Sequence, residues 1–292
     1  MSLILRRSTN QQMDSQRTRE ALGDYLRRRR EEEGGRPTAC GTAGRGSFAG
    51  NCSRKIAFEM LEVEETDPID ENTLVAFRVG QDLHDLLQEA MVEEYGMRIE
   101  QPVDLRPYGY DISGHIDGIY NDLQSADGAE LVWELKSKTS FGFKMARKSF
   151  EPEKTDVAQV AMYSLGVPEA RGIHLVYMCK DADYKWGDST RAGETLEWIV
   201  GLDEPCPGQD GLTPRQIGVA EATRINAIAA EALQEGLLPE RFIPGEGVVD
   251  FVPAPDSRDK PWQCRYCQWN ALCASLPSTQ TPIDNIFLRR KQ

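Results

Sequence analysis

Hydrophobic and polar positions alternate with three different rhythms along this chain, and each rhythm predicts an element. From Asn51 onward the pattern is globular. Residues 52–63 read as a short helix, and TDPIDENTL is a loop that ends in a helix-capping signal. Over 74–95, Phe77, Leu83, Leu87 and Met91 recur at helical spacing. Three strand-like segments follow, 98–105, 110–120 and 129–137, the last two separated by SADG. Residues 156–165 read as a helix that stops at Gly166 and Pro168. GIHLVYMCK (172–180) and ETLEWIV (194–200) read as buried strands, and 213–235, rich in Ala and Glu, as a long helix. The order predicts an α/β fold, a mixed β-sheet flanked by helices.

The first fifty residues have a different character. The first thirty carry eight Arg against three acids. A short helix over roughly 15–28 leads into a Gly/Arg-rich stretch, so 1–50 reads as a basic, largely flexible arm. Residues 51–275 read as the single folded domain and 276–292 as a tail. The whole chain of 292 residues carries a net charge of −13, which excludes a protein that coats nucleic acid through a uniformly basic surface. No apolar run is long enough to cross a bilayer, and no secretory signal is visible, so a cytoplasmic protein without a membrane partner is expected.

Chemistry enters with the second and third strands. In LVWELKSK, strand alternation sends Leu131, Trp133 and Leu135 to one face and Val132, Glu134 and Lys136 to the other. A carboxylate and an ammonium on an otherwise apolar strand are costly to bury without compensation. Asp117, on the neighbouring strand, and Glu134 supply hard oxygen donors suited to Mg²⁺ or Mn²⁺. Lys136 would orient and help deprotonate a water or neutralise a phosphate. Together these groups suit metal-assisted phosphodiester hydrolysis. Gly80 and His84 lie four apart on one helix, as do Gln159 and Tyr163 on another; His84 is a further candidate metal ligand.

The series Gly80-x-x-x-His84, Asp117, Glu134-x-Lys136, Gln159-x-x-x-Tyr163 resembles the RecB-like branch of the PD-(D/E)XK nuclease superfamily. That resemblance implies a restriction-endonuclease-like core. It implies that His84, Asp117, Glu134 and the main-chain carbonyl of Leu135 bind the divalent metal, and that Lys136 is the catalytic lysine. Gln159 and Tyr163 would line the DNA path. Ile116 stands where the superfamily's name has proline, a departure common in this branch.

Cys264, Cys267 and Cys273 form a C-x2-C-x5-C set that calls for a soft metal or a cluster and a fourth ligand from elsewhere. Cys52 is the first candidate and Cys40 the second, while Cys179 reads as a core thiol and Cys206 as incidental. The arrangement resembles the iron–sulfur subset of the same family, which includes CRISPR-associated RecB-like exonucleases and the helicase-nucleases of recombination. It implies a [4Fe–4S] cluster on Cys52, Cys264, Cys267 and Cys273, in an iron–sulfur subdomain made by the two ends of the chain. Zinc is the competing occupant.

Leu135–Phe150 holds five basic residues and no acid, with three phenylalanines between them. Cations interleaved with aromatics suit single-stranded DNA, so Lys138, Lys144, Arg147 and Lys148 are candidate DNA contacts, with Arg54 and Lys55 adding to the groove. The expected function is a Mg²⁺- or Mn²⁺-dependent deoxyribonuclease, preferably an exonuclease on single-stranded or frayed ends, working in recombination, repair or foreign-DNA processing. A helicase or DNA-processing protein is the candidate partner. A structure-specific endonuclease and a non-catalytic DNA-binding assembly subunit are the alternatives.

Overall fold

The computed structural model describes residues 21–30, 32, 42–122, 128–184, 188–249 and 261–286. Helix α1 covers residues 21–30 and is mostly exposed. It touches the body through Arg27, which bonds Glu71, and Arg30, which bonds Glu65. Strand β1 (Gly44–Arg45), helix α2 (Ser53–Met60) and the long helix α3 (Glu71–Tyr95) follow. Asp70 caps α3 by accepting from the Thr73 N–H, and Gly96, at φ 62°, ends it in the left-handed conformation that glycine adopts at low cost.

The sheet is then laid down by β2 (Arg98–Asp104), β3 (Ile112–Asn121), β4 (Glu130–Lys138), β5 (Ala170–Cys179) and β6 (Thr195–Gly201). Its order is β1-β3-β4-β5-β6, with β2 also paired to β3. β1 runs parallel to β3 and β4 parallel to β5, while β2–β3, β3–β4 and β5–β6 are antiparallel. A parallel pair needs a crossover connection. Helices α4 (Ser140–Ser149) and α5 (Lys154–Ser164) provide it between β4 and β5.

Each face of the sheet is covered. On one side, Leu83, Leu87 and Met91 of α3 pack on Trp133, Leu135, Val176 and Met178. On the other, α5 and α6 (Pro214–Ala229) bury Val157, Val160, Ala222 and Ile225 against Val132, Ile173 and Leu175. The protein is thus α/β, with a mixed sheet between helices. Phe77, counted among the apolar positions of α3, is 60% exposed and stands off that core.

Three boundaries differ from expectation. The arm does not extend to residue 50: Gly44–Arg45 joins the sheet, and Thr42, Phe48 and Ala49 are buried. The long helix over 213–235 is α-helical only to Ala229 and finishes in a π-turn over Ala230–Gln234. The C-terminal tail is built into the fold up to Ile286, because Thr281–Pro282 pairs with Leu237–Leu238 and Ile286 is buried. Residues 1–20, 31 and 33–41 of the expected arm, Cys40 among them, and 287–292 of the expected tail lie outside the described residues.

Candidate functional site: a forked sheet and a thiol-lined cavity

Strands β3 and β4 pair only over Gly118–Asn121 and Glu130–Trp133. Beyond Gly118–Trp133 they diverge, and β1 takes up the far end of β3 at Ile112 and Ser113. Asp117 and Glu134 are the first residues past the last pair. At a fork, main-chain N–H groups lose their ladder partners and need others. The Leu135 N–H finds one in Asp117 Oδ2, at 3.0 Å.

The same oxygen of Asp117 lies 2.8 Å from His84 Nε2. His84 reaches it from α3. One helical turn further on, Gln88 donates to the Asp117 carbonyl at 2.8 Å, so α3 holds both ends of this residue. Gly80, one turn earlier, makes the approach possible: a Cβ there would stand 2.9 Å from Ser137 Oγ near the end of β4. Alternation along β4 is as the sequence predicts, with Leu131, Trp133 and Leu135 toward α3. Lys136, on the opposite face, bonds Glu134 Oε1 at 2.6 Å and Gln159 Oε1 of α5 at 2.9 Å. His84, Asp117, Glu134, Lys136 and Gln159 are therefore gathered at the fork, on four elements.

Glu134 is 1% exposed. Burial and the neighbouring Asp117 push its pKa up to about 7, against the opposing pull of Lys136 and His84. Burial lowers the Lys136 pKa, but the charges of Glu134, Asp156 and Asp117 outweigh it and hold the ammonium above its ordinary value. His84 follows the same logic, with burial overcome by its hydrogen bond and charge contact to Asp117. The second carboxylate oxygen, Glu134 Oε2, is buried without a hydrogen-bond partner. Such an atom is costly unless a donor or a cation meets it. Among the described residues no three His, Cys, Asp or Glu side chains are arranged to hold a metal ion. Here the donors partly satisfy one another: His84 is on Asp117 and Lys136 on Glu134. The orphaned oxygen, beside Asp117, His84 and the start of the β4 fork, is what fits a hard divalent cation.

No family model matches the chain, and no curated protein matches it. Among solved structures it is similar to one described as "Crystal structure of SSO0001", at 13% sequence identity and a TM-score of 0.45, over 88% of this chain and 97% of that one.

The DNA-contacting residues expected from sequence meet a different fate. Tyr163 is 4% exposed, one helical turn from Gln159 on α5, so it supports the site from below and does not line a path. Gly46 and Gly114 make room for its ring: Cβ atoms there would stand 2.0 and 2.7 Å from it. Lys138 is spent on Asp156 and Glu153. Lys144 pairs with Asp183, and Arg147 with Asp188 and Glu194. The segment read as a basic groove is the helix α4, capped by Thr139, with Phe143 and Ala146 in the core and its cations turned onto acids of the β5–β6 region. Phe141, Phe150 and Lys148 remain exposed. Arg54, also assigned to the groove, is 1% exposed and bound to the carbonyls of Pro239 and Thr279.

Sequence reasoning missed Asp156. It accepts from Lys138 at 2.7 Å and from the Tyr177 hydroxyl at 2.6 Å, and its charge acts on Lys136. Burial would raise its pKa, but Lys138 and Lys136 together bring it below the ordinary carboxylate value. Its position three residues before Gln159, on the face of α5 that meets β4, is the signal that could have found it.

The four cysteines nominated from sequence converge. Cys52, Cys264, Cys267 and Cys273 line one cavity of about 130 Å³, together with Arg54, Lys55 and Phe58. All four are free thiols. Cys52 sits at the N-cap of α2, Cys264 in α7 (Trp262–Arg265) and Cys273 in α8 (Asn270–Ser275). Burial, followed by the mutual repulsion of the thiols, pushes Cys264 up to about 12. Burial pushes Cys267 up to about 12 as well. Bare thiolates are thus disfavoured there; the four thiols share one cavity but are not drawn together into an ion-holding group as they stand, so it is the chemistry of the donor set, four soft sulfurs, that suits a metal or cluster. Cys179 is a core thiol, as expected, and Cys206 is buried rather than merely incidental to a loop.

Proposed function

We propose that this protein is a metal-dependent nuclease of the RecB-like PD-(D/E)XK type that hydrolyses DNA phosphodiester bonds. The observation that carries the reading is Glu134 Oε2, a buried and unpartnered carboxylate oxygen set at the sheet fork beside Asp117, His84 and Lys136. His84, Asp117, Glu134 and the Leu135 carbonyl would hold Mg²⁺ or Mn²⁺. When bound, such an ion supplies Lewis-acid stabilisation of the phosphoryl charge and an acidified water. The chain's own part is positional and electrostatic. Lys136 presents a half-buried positive charge to the scissile phosphate, and Gln159 fixes its direction. Asp156 and Tyr177 fix Lys138 behind it. His84 and the Leu135 N–H fix Asp117.

The preferred substrate is single-stranded or frayed DNA, taken as an exonuclease. With Lys138, Lys144 and Arg147 committed internally, strand contact falls to the exposed Phe141, Phe150 and Lys148, which suits stacking on unpaired bases more than duplex phosphates. Cys52, Cys264, Cys267 and Cys273 would ligate a [4Fe–4S] cluster in a subdomain that closes the restriction-endonuclease-like core. The deciding experiment incubates the protein with end-labelled linear and circular substrates, single- and double-stranded, with Mg²⁺ or Mn²⁺. Release of labelled mononucleotides or short products from linear single strands supports the reading. Intact substrate under all metal conditions refutes it. Cleavage of circles would make the protein an endonuclease instead.

A further inference from the structure

Among the residues that line the thiol cavity is Arg54, which the sequence pattern places in a DNA groove. Arg54 sits on α2, two residues after Cys52, and is 1% exposed. Its Nε and Nη2 donate to the carbonyls of Pro239 and Thr279, at 3.0 and 2.8 Å. Its Nη1 is directed at Cys273 Sγ, 4.0 Å away. Among the described residues it has no ion pair with a carboxylate. The ionisable groups acting on it are Cys273, Cys52 and a second buried arginine, Arg241. Arg241 holds Cys273 from the other side, donating to its carbonyl at 2.7 Å.

A buried guanidinium keeps its proton, and taking that charge out of water without an anion is strongly unfavourable. The carbonyls of Pro239 and Thr279 satisfy its N–H groups but do not neutralise it. Among the described residues the acidic atoms in position to do so are the thiols. A tetrathiolate centre on a dication, whether an iron–sulfur core or zinc, carries two negative charges overall. A cation directed at one of its sulfurs is the complement such a centre needs in a site with little water.

We propose that Arg54 is the counter-charge of the cysteine centre: it donates to Cys273 Sγ and offsets the negative charge of the four thiolates. It acts as a positioning and electrostatic residue, not a ligand. The inference rests on reading the four cysteines as metal ligands. Hydrogen bonds and positive charge at cluster sulfurs raise the reduction potential, because the reduced cluster is the more negative form.

The test compares the full-length wild type with Arg54→Lys and Arg54→Gln, all purified without oxygen. Iron and zinc content, circular dichroism and resistance to a chelator are measured for each, and the midpoint potential wherever iron is found. Arg54→Gln should lose several-fold in metal content, or keep the metal with faster loss to chelator and a lower potential. Arg54→Lys, which keeps the charge and surrenders the fork geometry, should recover most of the metal content and potential. Equal metal retention and potential in wild type and Arg54→Gln would overturn the inference while leaving the cysteine site standing. Folded Lys and Gln variants that lose metal equally would also overturn it. So would loss of fold in both, which would leave Arg54 with the stitching of the Pro239 and Thr279 segments alone. A wild type holding neither iron nor zinc would overturn the cysteine reading itself, and Arg54 with it.

Discussion

The fork and the thiol cavity solve the same problem, several like donors in one buried place, by opposite means. At the fork, the carboxylates stand on long inner strands of the sheet, and their charges are cancelled by neighbours: Lys136 on Glu134, His84 on Asp117. The side chains balance one another except at one orphaned oxygen. In the cavity, the donors stand on helices of four and six residues, between those helices and at a helix cap, and the cations set against them are Arg54, Arg241 and Lys55. A rigid frame tolerates an imperfectly satisfied site. A frame built of short pieces needs its occupant. The first region should therefore be dispensable for folding and indispensable for chemistry, and the second the reverse.

The sharpest way to break that contrast is to exchange losses. Lys136→Ala should reduce cleavage by about 100-fold or more, the scale of removing a charge that stabilises a transition state, with the far-UV spectrum unchanged. Cys267→Ala should instead yield unstable or insoluble protein, because a structural metal site contributes directly to folding. Wild-type cleavage in Lys136→Ala, or a stable, metal-replete Cys267→Ala, would dissolve the distinction.

A second test asks what the unsatisfied fork costs. In the folded protein Glu134 binds its proton up to about pH 7, whereas unfolded it releases it near the ordinary glutamate value. The folded state thus holds more protons across that window, so stability is greatest below it and falls as pH rises through it. In chelator-treated protein, urea midpoints should decline from about pH 4.5 to about pH 7, the two values that bound the shift. Glu134→Gln should flatten that decline. A slope that persists in the variant would show that another group produces it.

The sequence made the centre of the fork legible and its surroundings not. LVWELKSK states its two faces by alternation alone, and His84 and Asp117 stand out because few residue types bind hard cations. Strand β1 was hidden because Gly44–Arg45 is only two residues long in a Gly/Arg-rich stretch, where no periodicity can develop. The helix α4 was hidden by its charges: reading Lys144 and Arg147 as free cations required ignoring Asp183, Asp188 and Glu194, some forty residues on, and distant partners leave no local pattern. Tyr163 looked like a surface residue because its two enclosing glycines, Gly46 and Gly114, come from other strands and turns.

That enclosure provides the third test. Gly114→Ala would place a methyl 2.7 Å from the Tyr163 ring. Overpacking of this kind costs about 1–3 kcal/mol, and displacing Tyr163 should disturb Gln159 and through it Lys136. Cleavage is expected to fall together with stability, and a double variant with Tyr163→Phe should not restore it, since the ring itself is in the way. The smallest effect is expected on α4. Replacing Lys144 and Arg147 by Gln should lower stability by about 1 kcal/mol, as partly exposed pairs do, and leave the salt dependence of DNA binding nearly unchanged. A flattened salt dependence would show that these cations leave their acids for phosphate.

Cys264 follows Cys52 by 212 positions, and the two line the same cavity. During synthesis, at about 5–20 residues per second, Cys52 must wait roughly 10–40 s before its partners exist. For that interval every strand of the main sheet can be made while the cavity cannot close. A chain interrupted before Cys273 would carry all the residues of the fork yet never complete the chamber of thiols. An occupant of that chamber would therefore be acquired last, and its presence would record that a chain was read through to the end of this region.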